Sequence, residues 1–173
     1  MKEGGELEDI KELYRLYSKE LYSYLFFLSN DKMLAEELLQ ETFYQAYISI
    51  HRFKGNSKIK TWLYQIGKNV FYKYLKSNSL EMVEFNDDSG EFANGLAPEN
   101  ILEKEEQKRT LHKAIKQLKE PYKQVIILRI FNDLSFKEIG EVLSKSENWA
   151  RVTFHRGKHK LSVFLEGWED LES

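Results

Sequence analysis

The sequence predicts an all-α protein built from two small helical domains joined by a flexible acidic linker. Apolar residues recur at three- and four-residue spacing along most of the 173-residue chain, which is the repeat of one helical face. No segment shows the alternation of apolar and polar residues that is typical of a half-buried strand. The stretch 77–100 lacks a sustained period, contains several turn-forming residues and carries excess acid, so we interpret it as the linker.

Three helices are predicted before the linker. The first spans about 6–28 and carries one continuous apolar stripe. The second follows Asp31, whose carboxylate suits the N-cap position. The third starts after Ser57 and fades at Lys76.

Helical periodicity resumes after the linker. It begins near Ile101 and predicts a helix that stops before Pro121, because the residue preceding a proline is displaced from helical geometry. Pro121 itself fits the first turn of the next helix. Two further short helices are predicted within residues 134–161.

Residues 134–161 have the pattern of a helix-turn-helix. Ser135 followed three residues later by Glu138 forms a capping box, which places a short helix directly after Ser135. Ser146 can cap a second helix, and Gly140 lies where the two helices approach each other closely. The second helix has an inward face of Ala150, Phe154, Gly157 and Leu161 and an outward face of Arg151, His155, Lys158 and His159.

The outward face of that second helix is basic. Such a helix can enter the major groove of DNA, where side chains of its first turns reach base edges. Arg151 and Arg156 are the main candidates for these contacts. The alternative is a plain helical hairpin whose basic face is only solvated.

Charge is segregated along the chain, although its formal net charge is only -2. Segment 51–76 contains seven lysine and arginine residues and no acid, and aromatic residues are interleaved with them. Unpaired bases stack on aromatic rings while lysines follow the phosphates, so this segment predicts a surface for single-stranded DNA.

The alternative for this basic segment is that its aromatic residues belong to the core and its lysines only solvate the outer face. The spacing favours a core position for Trp62 and Ile66. It favours exposure for three lysines, Lys58, Lys60 and Lys68.

The composition disfavours several classes of protein. The chain has no cysteine, so it offers neither a disulfide framework nor a thiolate metal site nor a thiol nucleophile. The N-terminal stretch is acidic and polar, unlike a signal peptide, and no apolar run approaches the roughly 20 residues of a membrane span. We therefore expect a cytoplasmic protein.

Candidates for chemistry are few. His155 and His159 have the i, i+4 spacing of a helical metal pair, but the glutamate of the HExxH pattern and a third ligand are missing. No GxSxG turn and no phosphate-binding glycine loop occurs in the sequence. We predict no catalytic residue, metal site, cofactor or small-molecule substrate, and we do not expect an enzyme.

Three stretches resemble, in the same order, those of the extracytoplasmic-function (ECF) sigma factors of RNA polymerase, within the sigma-70 family. The first, AEELLQETF at 35–43, is similar to the family's segment that docks on the clamp coiled coil of the polymerase. The resemblance implies that Glu37, Gln40 and Glu41 contact core RNA polymerase.

The second stretch, FKGNSKIKTWLYQIGKNVFYKYLK at 53–76, resembles the family's promoter-melting and minus-ten-reading region. It includes the Trp-Leu-Tyr-x-Ile-x-x-Asn core at 62–69, and the analogy places a flipped base against the loop 53–59. The residues implied in minus-ten recognition are Phe53, Lys54, Asn56, Ser57, Lys58, Lys60, Trp62, Lys68 and Asn69.

The third stretch, LKEPYKQVIILRIFNDLSFKEIG at 118–140 with the helix that follows it, resembles the domain that reads the minus-thirty-five element. The whole resemblance implies a sigma region 2-like helical bundle at 6–76, the linker at 77–100 and a region 4-like helix-turn-helix domain at 101–165. The residues implied in minus-thirty-five contacts are Arg151, His155, Arg156 and Lys158.

The function implied is that of an alternative sigma factor, which binds core RNA polymerase and directs promoter recognition, DNA melting and transcription initiation. Two weak DNA contacts on one tethered scaffold gain from effective concentration, which gives the linker a purpose. The resemblance also implies an anti-sigma factor, often membrane-embedded, that holds the chain inactive. The alternative is a stand-alone helix-turn-helix transcriptional regulator, and binding to core polymerase distinguishes the two.

Overall fold

The computed structural model describes residues 3–78 and 102–165, and the predicted all-α class is confirmed in this part of the chain. Most of the predicted linker, 77–100, lies outside the described residues. The helices are α1 (Glu3–Ser29), α2 (Lys32–Ser49), α3 (Ile59–Ser77), α4 (Leu102–Gln117), α5 (Tyr122–Ile130), α6 (Phe136–Leu143) and α7 (Glu147–Ser162), with a short 3-10 turn at Ile50–Arg52.

Helices α1, α2 and α3 pack together as an N-terminal group. The boundary between α1 and α2 is set as predicted, because Asp31 accepts a hydrogen bond from the Leu34 amide at 3.1 Å and so caps α2. The core of the group is formed by fully buried side chains of α1 and α3, which include Leu21, Tyr24, Leu25, Leu63 and Tyr64.

Helices α4 to α7 form a C-terminal group around α5. Four consecutive residues of α5, 125–128, are fully buried, so this helix has no solvent-facing side along that stretch. Helix α7 packs on α5, with Gly157 against Tyr122 and Ile126, and it also buries Ala150 and Leu161, while α6 packs mainly on α7. The continuous apolar run Val125 to Leu128 therefore marks the centre of the C-terminal group.

The N-terminal and C-terminal groups pack directly against each other, mainly through α3 with α6 and α1 with α5. Phe27 of α1 lies between two rings of the C-terminal group, with its centroid 4.5 Å from that of His112 and 4.7 Å from that of Phe131. The His112 ring is nearly parallel to Phe27, which is a stacked arrangement. An aromatic cluster thus joins α1, α4 and the end of α5.

Two residues expected in the core are only half-buried. Trp62 lies at the edge of α3, where its ring faces Phe53 of the preceding loop at 5.3 Å. Ile66 lines an open groove between α2 and α3. The spacing correctly placed both on the apolar side of α3, but it could not show that this side extends beyond the packed core.

None of the helices in the described ranges is both long enough and apolar enough to cross a membrane.

The stacked His112 predicts a pH-dependent stability. Burial, and to a smaller extent Lys116 and Lys108, lower the pKa of His112 to about 4, so the folded chain keeps this ring neutral. The unfolded chain takes up the proton below its ordinary pKa of about 6.5. The stabilisation is therefore complete above about pH 6.5 and is lost as the pH falls towards 4.

We expect protonation of His112 to lower the melting temperature by roughly 2–4 °C over that pH range. The effect stays this small because the ring is partly exposed and solvent screens its charge. His112→Leu should flatten this part of the pH profile, as measured by thermal unfolding. The matched control His159→Leu, at an exposed position, should keep the wild-type slope. A wild-type slope in His112→Leu would assign the pH dependence to other groups.

Candidate nucleic-acid interface

The helix-turn-helix is built by two local capping interactions. The Ser135 hydroxyl accepts a hydrogen bond from the Glu138 amide at 3.1 Å, and the Glu138 carboxylate accepts one from the Ser135 amide at 2.7 Å. Burial raises the pKa of Glu138, but the hydrogen bonds from Ser135 and Lys58 outweigh it and hold the pKa below its usual range. The predicted capping box at the start of α6 is confirmed.

The turn between α6 and α7 requires a glycine at position 140. A Cβ atom on Gly140 would lie 2.6 Å from the Lys145 carbonyl oxygen and 3.0 Å from Ser146 backbone atoms. The chain reverses through Ser144 in the left-handed conformation, and the Ser146 hydroxyl then accepts from the Trp149 amide at 3.0 Å to cap α7. The predicted close approach at Gly140 is confirmed.

Helix α7 presents its basic residues to solvent largely as predicted. Ala150, Gly157 and Leu161 are buried, whereas Phe154 of the expected inward face is only half-buried. It lies at the edge of the contact, with its ring 5.5 Å from that of Phe136. Of the implied DNA-facing residues, Arg151, His155 and Arg156 are exposed and Lys158 is half-buried.

Arg151 is held in place at the start of α7. Its guanidinium donates to the Glu147 carboxylate at 3.1 Å and lies 5.4 Å from the centre of the Phe136 ring. Arg129 lies over the same ring at 4.4 Å. Cation–π contacts of this kind orient guanidinium groups, so Phe136 holds two arginines beside the start of α6.

The loop before α3 exposes part of the implied minus-ten surface. Lys54, Asn56 and, on α3, Asn69 are exposed, while Phe53 and Ser57 are half-buried. Gly55, with φ 73°, supplies the positive backbone dihedral that turns this loop. Unlike Lys60 and Lys68 of α3, these residues make no hydrogen bond or ion pair to the described part of the C-terminal group, and they are at least partly open to solvent.

Lys60 and Lys68 of α3 face the C-terminal group, and the expectation that both are exposed is wrong. The Lys60 ammonium pairs with Glu20 at 2.9 Å and donates to the Asn132 carbonyl at 3.1 Å. The Lys68 ammonium donates to the Val142 carbonyl at 2.7 Å, and burial lowers its pKa.

Lys58 is exposed as expected, although it also reaches across to Glu138 at 3.1 Å. The physical reason for the Lys68 contact is the end of α6. The last carbonyls of a helix lack partners within it and carry partial negative charge. Gln65 and Lys68 supply donors to two of them, those of Glu141 and Val142.

The implied polymerase-docking residues lie together on the outer side of α2. Glu37, Gln40 and Glu41 are all exposed, and Glu41 accepts a hydrogen bond from Gln45 at 2.7 Å. Glu37 and Glu41 also line the groove between α2 and α3, which has a volume of about 560 Å³. Asn69 lies on the opposite wall of this groove, so the structure brings two separately implied surfaces together.

Two buried amides were missed by the sequence analysis. Gln124 and Asn132 are each almost completely buried, and both hydrogen-bond to the N-terminal group. The available signal was a polar residue beside the apolar run of α5 in the case of Gln124. Nothing local distinguishes Asn132, since its partners are more than 60 residues away in sequence.

Comparison with known proteins assigns the class. Family models match at residues 13–81, for sigma-70 region 2, and at residues 108–161, for sigma-70 region 4. The chain is 32% identical over 163 residues to the ECF RNA polymerase sigma factor SigM of Bacillus subtilis, covering 93% of this chain and 98% of SigM. It is 33% identical over 156 residues to the RNA polymerase sigma factor YlaC of Bacillus subtilis, covering 89% and 90%.

Solved structures agree on the fold. The sigma factor RpoE of Bartonella quintana, in complex with the anti-sigma factor NepR, matches with a TM-score of 0.73 and 22% identity over 92% of this chain and 98% of RpoE. CnrH, in complex with the cytosolic domain of CnrY, matches with a TM-score of 0.68 and 16% identity over 99% and 94%.

A helical bundle with a basic loop and an attached helix-turn-helix defines a transcription initiation factor of the sigma-70 class. Within that class, the chain belongs to the ECF RNA polymerase sigma factors. Both halves of the chain match the family, so the alternative of a stand-alone regulator is not retained.

The contact at Gly140 generates a stability prediction. Gly140→Ala should lower the free energy of unfolding by about 1–3 kcal/mol, because the added methyl group meets backbone atoms of the turn that cannot move independently. Thermal or urea unfolding would measure it. The control Gly5→Ala adds the same methyl group in α1, where no atom lies within 4 Å, and should leave stability unchanged or slightly higher. Equal stability of the two variants would contradict the inference that the turn leaves no room for a methyl group at position 140.

Proposed function

We propose that the chain works as a sigma factor with its tasks divided between three segments. Residues 6–76 bind core polymerase, and they also read and melt the minus-ten element. Residues 101–165 read the minus-thirty-five element, and residues 77–100 link the two parts. The family matches at 13–81 and 108–161 support this division. The observation that carries the proposal is the exposed basic face of α7, presented by a helix-turn-helix with both helices capped.

The polymerase-binding surface proposed is the acidic outer face of α2, formed by Glu37, Gln40 and Glu41. Its support is their exposure on consecutive turns of one helix, where a partner can contact all three at once. An acidic docking surface accelerates encounter with a basic partner and fixes its orientation.

Charge reversal tests this docking surface. The double variant Glu37→Lys with Glu41→Lys should weaken binding to core RNA polymerase at least about tenfold, because attraction becomes repulsion. Fluorescence anisotropy with labelled chain and sigma-free core enzyme would measure the affinity. The control Asp9→Lys with Glu106→Lys makes the same charge change at exposed acids elsewhere and should bind like the wild type. Equal binding by both variants would move the docking site away from α2.

The minus-ten surface proposed combines the loop and the exposed side of α3. Phe53 and Trp62 supply rings on which an unpaired base stacks, while Lys54, Asn56 and Asn69 contact the backbone and base edges. The partial exposure of Phe53 and Trp62 supports this role, since fully buried rings could not stack on a base. Ser57 and the lysines Lys58, Lys60 and Lys68 complete the proposed surface.

The minus-thirty-five contacts proposed lie on α7. Arg151, which Glu147 and Phe136 hold near the helix start, is positioned for a base edge, and His155, Arg156 and Lys158 follow along the same helix. A recognition helix presents its first turns to the bases and its later turns to the phosphates. We therefore assign base readout to Arg151, and we add Arg156, on a later turn, because its side chain is exposed.

Alanine substitution tests this assignment. Arg151→Ala and Arg156→Ala should each cost about 1–3 kcal/mol, or roughly 5- to 150-fold, in holoenzyme binding to a duplex carrying the minus-thirty-five element. Electrophoretic mobility shift with reconstituted holoenzyme would measure it, and binding of the variants to core polymerase should not change. The control Lys113→Ala removes an exposed base from α4 and should have no effect. Loss of core binding in either variant would instead indicate a structural role.

We further propose that an anti-sigma factor, membrane-associated as in much of the family, holds this sigma factor inactive. Support comes from the fold matches, since RpoE of Bartonella quintana was solved with the anti-sigma factor NepR, and CnrH with the cytosolic domain of CnrY. The chain is proposed to act in the cytoplasm with polymerase, and to contribute binding and not catalysis to initiation.

A further inference from the structure

The outward face of α7 has a centre and two edges, which carry different side chains. The packed side of the helix is marked by its buried residues, Ala150, Thr153, Gly157 and Leu161. Successive residues of an α-helix are rotated by about 100°, so the direction opposite this packed side passes through positions 148, 152, 155 and 159. By the same rotation, Arg151 lies at one edge of this outward stripe and Arg156 at the other. The two arginines therefore flank the most outward-facing residues of the helix.

Arg151 is also drawn away from the centre of the stripe. Its guanidinium donates to the Glu147 carboxylate at 3.1 Å and lies 5.4 Å from the centre of the Phe136 ring. Glu147 lies beyond Arg151 on the side away from the stripe, because the helix places it about 40° further round. The centre of the outward face is therefore left to side chains other than arginine and lysine.

Asn148 and Val152 lie one helical turn apart at this centre. The Asn148 side chain is exposed, and no hydrogen bond joins it to another described residue. Val152 is 37% exposed. A β-branched residue is a weaker helix former than alanine, so an exposed valine in mid-helix adds neither burial nor helix propensity. Both side chains are therefore open to a ligand that approaches the outward face.

The chemistry of the two side chains matches one type of base pair. In the major groove, an asparagine amide can donate to N7 of adenine and accept from its N6 amino group. An apolar side chain packs against the C5 methyl group of thymine, whereas cytosine presents no methyl group there. Asn148 and Val152 thus favour A·T pairs over G·C pairs, each through a different base.

The distance between the two side chains fits neighbouring positions of one DNA element. Four residues of an α-helix rise by about 6 Å along its axis. Stacked base pairs are about 3.4 Å apart. A recognition helix that lies along the groove therefore places Asn148 and Val152 over base pairs about two steps apart.

We propose that Asn148 and Val152 are specificity-determining residues of the recognition helix, with Asn148 reading an adenine and Val152 the methyl group of a thymine about two base pairs away. Arg151 and Arg156 flank these contacts. The inference deepens the proposed minus-thirty-five assignment, on which it rests, by adding two uncharged residues and the bases that they select. The element that this chain reads should therefore contain A·T pairs at both positions.

Base analogues test this inference one atom group at a time. Deoxyuridine in place of thymidine removes only the C5 methyl group, and 7-deazaadenine in place of adenine removes the N7 acceptor. The probe is a fluorescent duplex with the minus-thirty-five element of a promoter that the reconstituted wild-type holoenzyme transcribes, substituted at one position at a time. By fluorescence anisotropy, one deoxyuridine should weaken holoenzyme binding about threefold or more. One 7-deazaadenine, about two base pairs away, should weaken it at least about fivefold.

Each alanine variant should lose its sensitivity to one analogue only. Val152→Ala should bind the unmodified duplex about as weakly as the wild type binds the deoxyuridine duplex, and it should keep its response to 7-deazaadenine. Asn148→Ala should show the reverse pattern. Pairing one side chain with one atom group in this way separates a direct contact from a general loss of affinity. Val152→Thr, which keeps one methyl group, should retain part of the preference for thymine.

Matched controls are available at exposed positions outside the stripe. Val163→Ala removes the same two methyl groups just after α7, and Gln107→Ala removes an amide from α4. Both should bind the duplexes like the wild type. Since Asn148 and Val152 are exposed and alanine is the better helix former, their alanine variants should melt no lower than the wild type. A clearly lower melting temperature would assign them a structural role instead.

The outcomes distinguish this inference from the proposed function. A holoenzyme that binds the element specifically but tolerates deoxyuridine at every position would overturn the role of Val152, and so would full sensitivity to deoxyuridine in Val152→Ala. The same two results with 7-deazaadenine would overturn the role of Asn148. Failure of the wild-type chain to bind core polymerase, or of the holoenzyme to prefer the element over a scrambled duplex, would instead contradict the proposed sigma function.

Discussion

The burial of α5 is the constraint on which the rest of the structure depends. Residues 125–128 expose no side chain to solvent, so α5 must be covered on all sides. Helices α6 and α7 of the helix-turn-helix cover part of it, and α1 of the N-terminal group packs on it as well. The presentation of the recognition helix and the position of the N-terminal group therefore depend on the same apolar helix.

Apolar packing on α5 does not by itself fix how the N-terminal and C-terminal groups are oriented. The buried amides fix this orientation. Gln124 and Asn132 fix how the two groups meet, yet the network is not fully satisfied. Among the described residues, the Asn132 side-chain oxygen and the Thr61 hydroxyl are buried without a hydrogen-bond partner. Each such atom costs about 1–3 kcal/mol. The contact is thus oriented but not maximally stable.

The sequence predicted local interactions well and distant ones poorly. The caps at Asp31, Ser135 and Ser146 and the tight turn at Gly140 depend on residues within a few positions of each other, so their spacing was sufficient. The exposure of Lys68 depends on the end of a helix 74 residues away. Helical periodicity assigns a side chain to a face, but it does not show which element covers that face.

Lys60 and Lys68 also show that a basic residue of this chain is not necessarily free for an external partner. The Asn132 and Val142 carbonyl oxygens accept from the same ammonium groups that the proposed contacts would offer to phosphate oxygens. A lysine bonded to the first has to give up that contact to bind the second, so the gain from DNA is only the difference between the two. In the described arrangement, any phosphate contact made by Lys60 or Lys68 is therefore offset by the loss of an internal hydrogen bond.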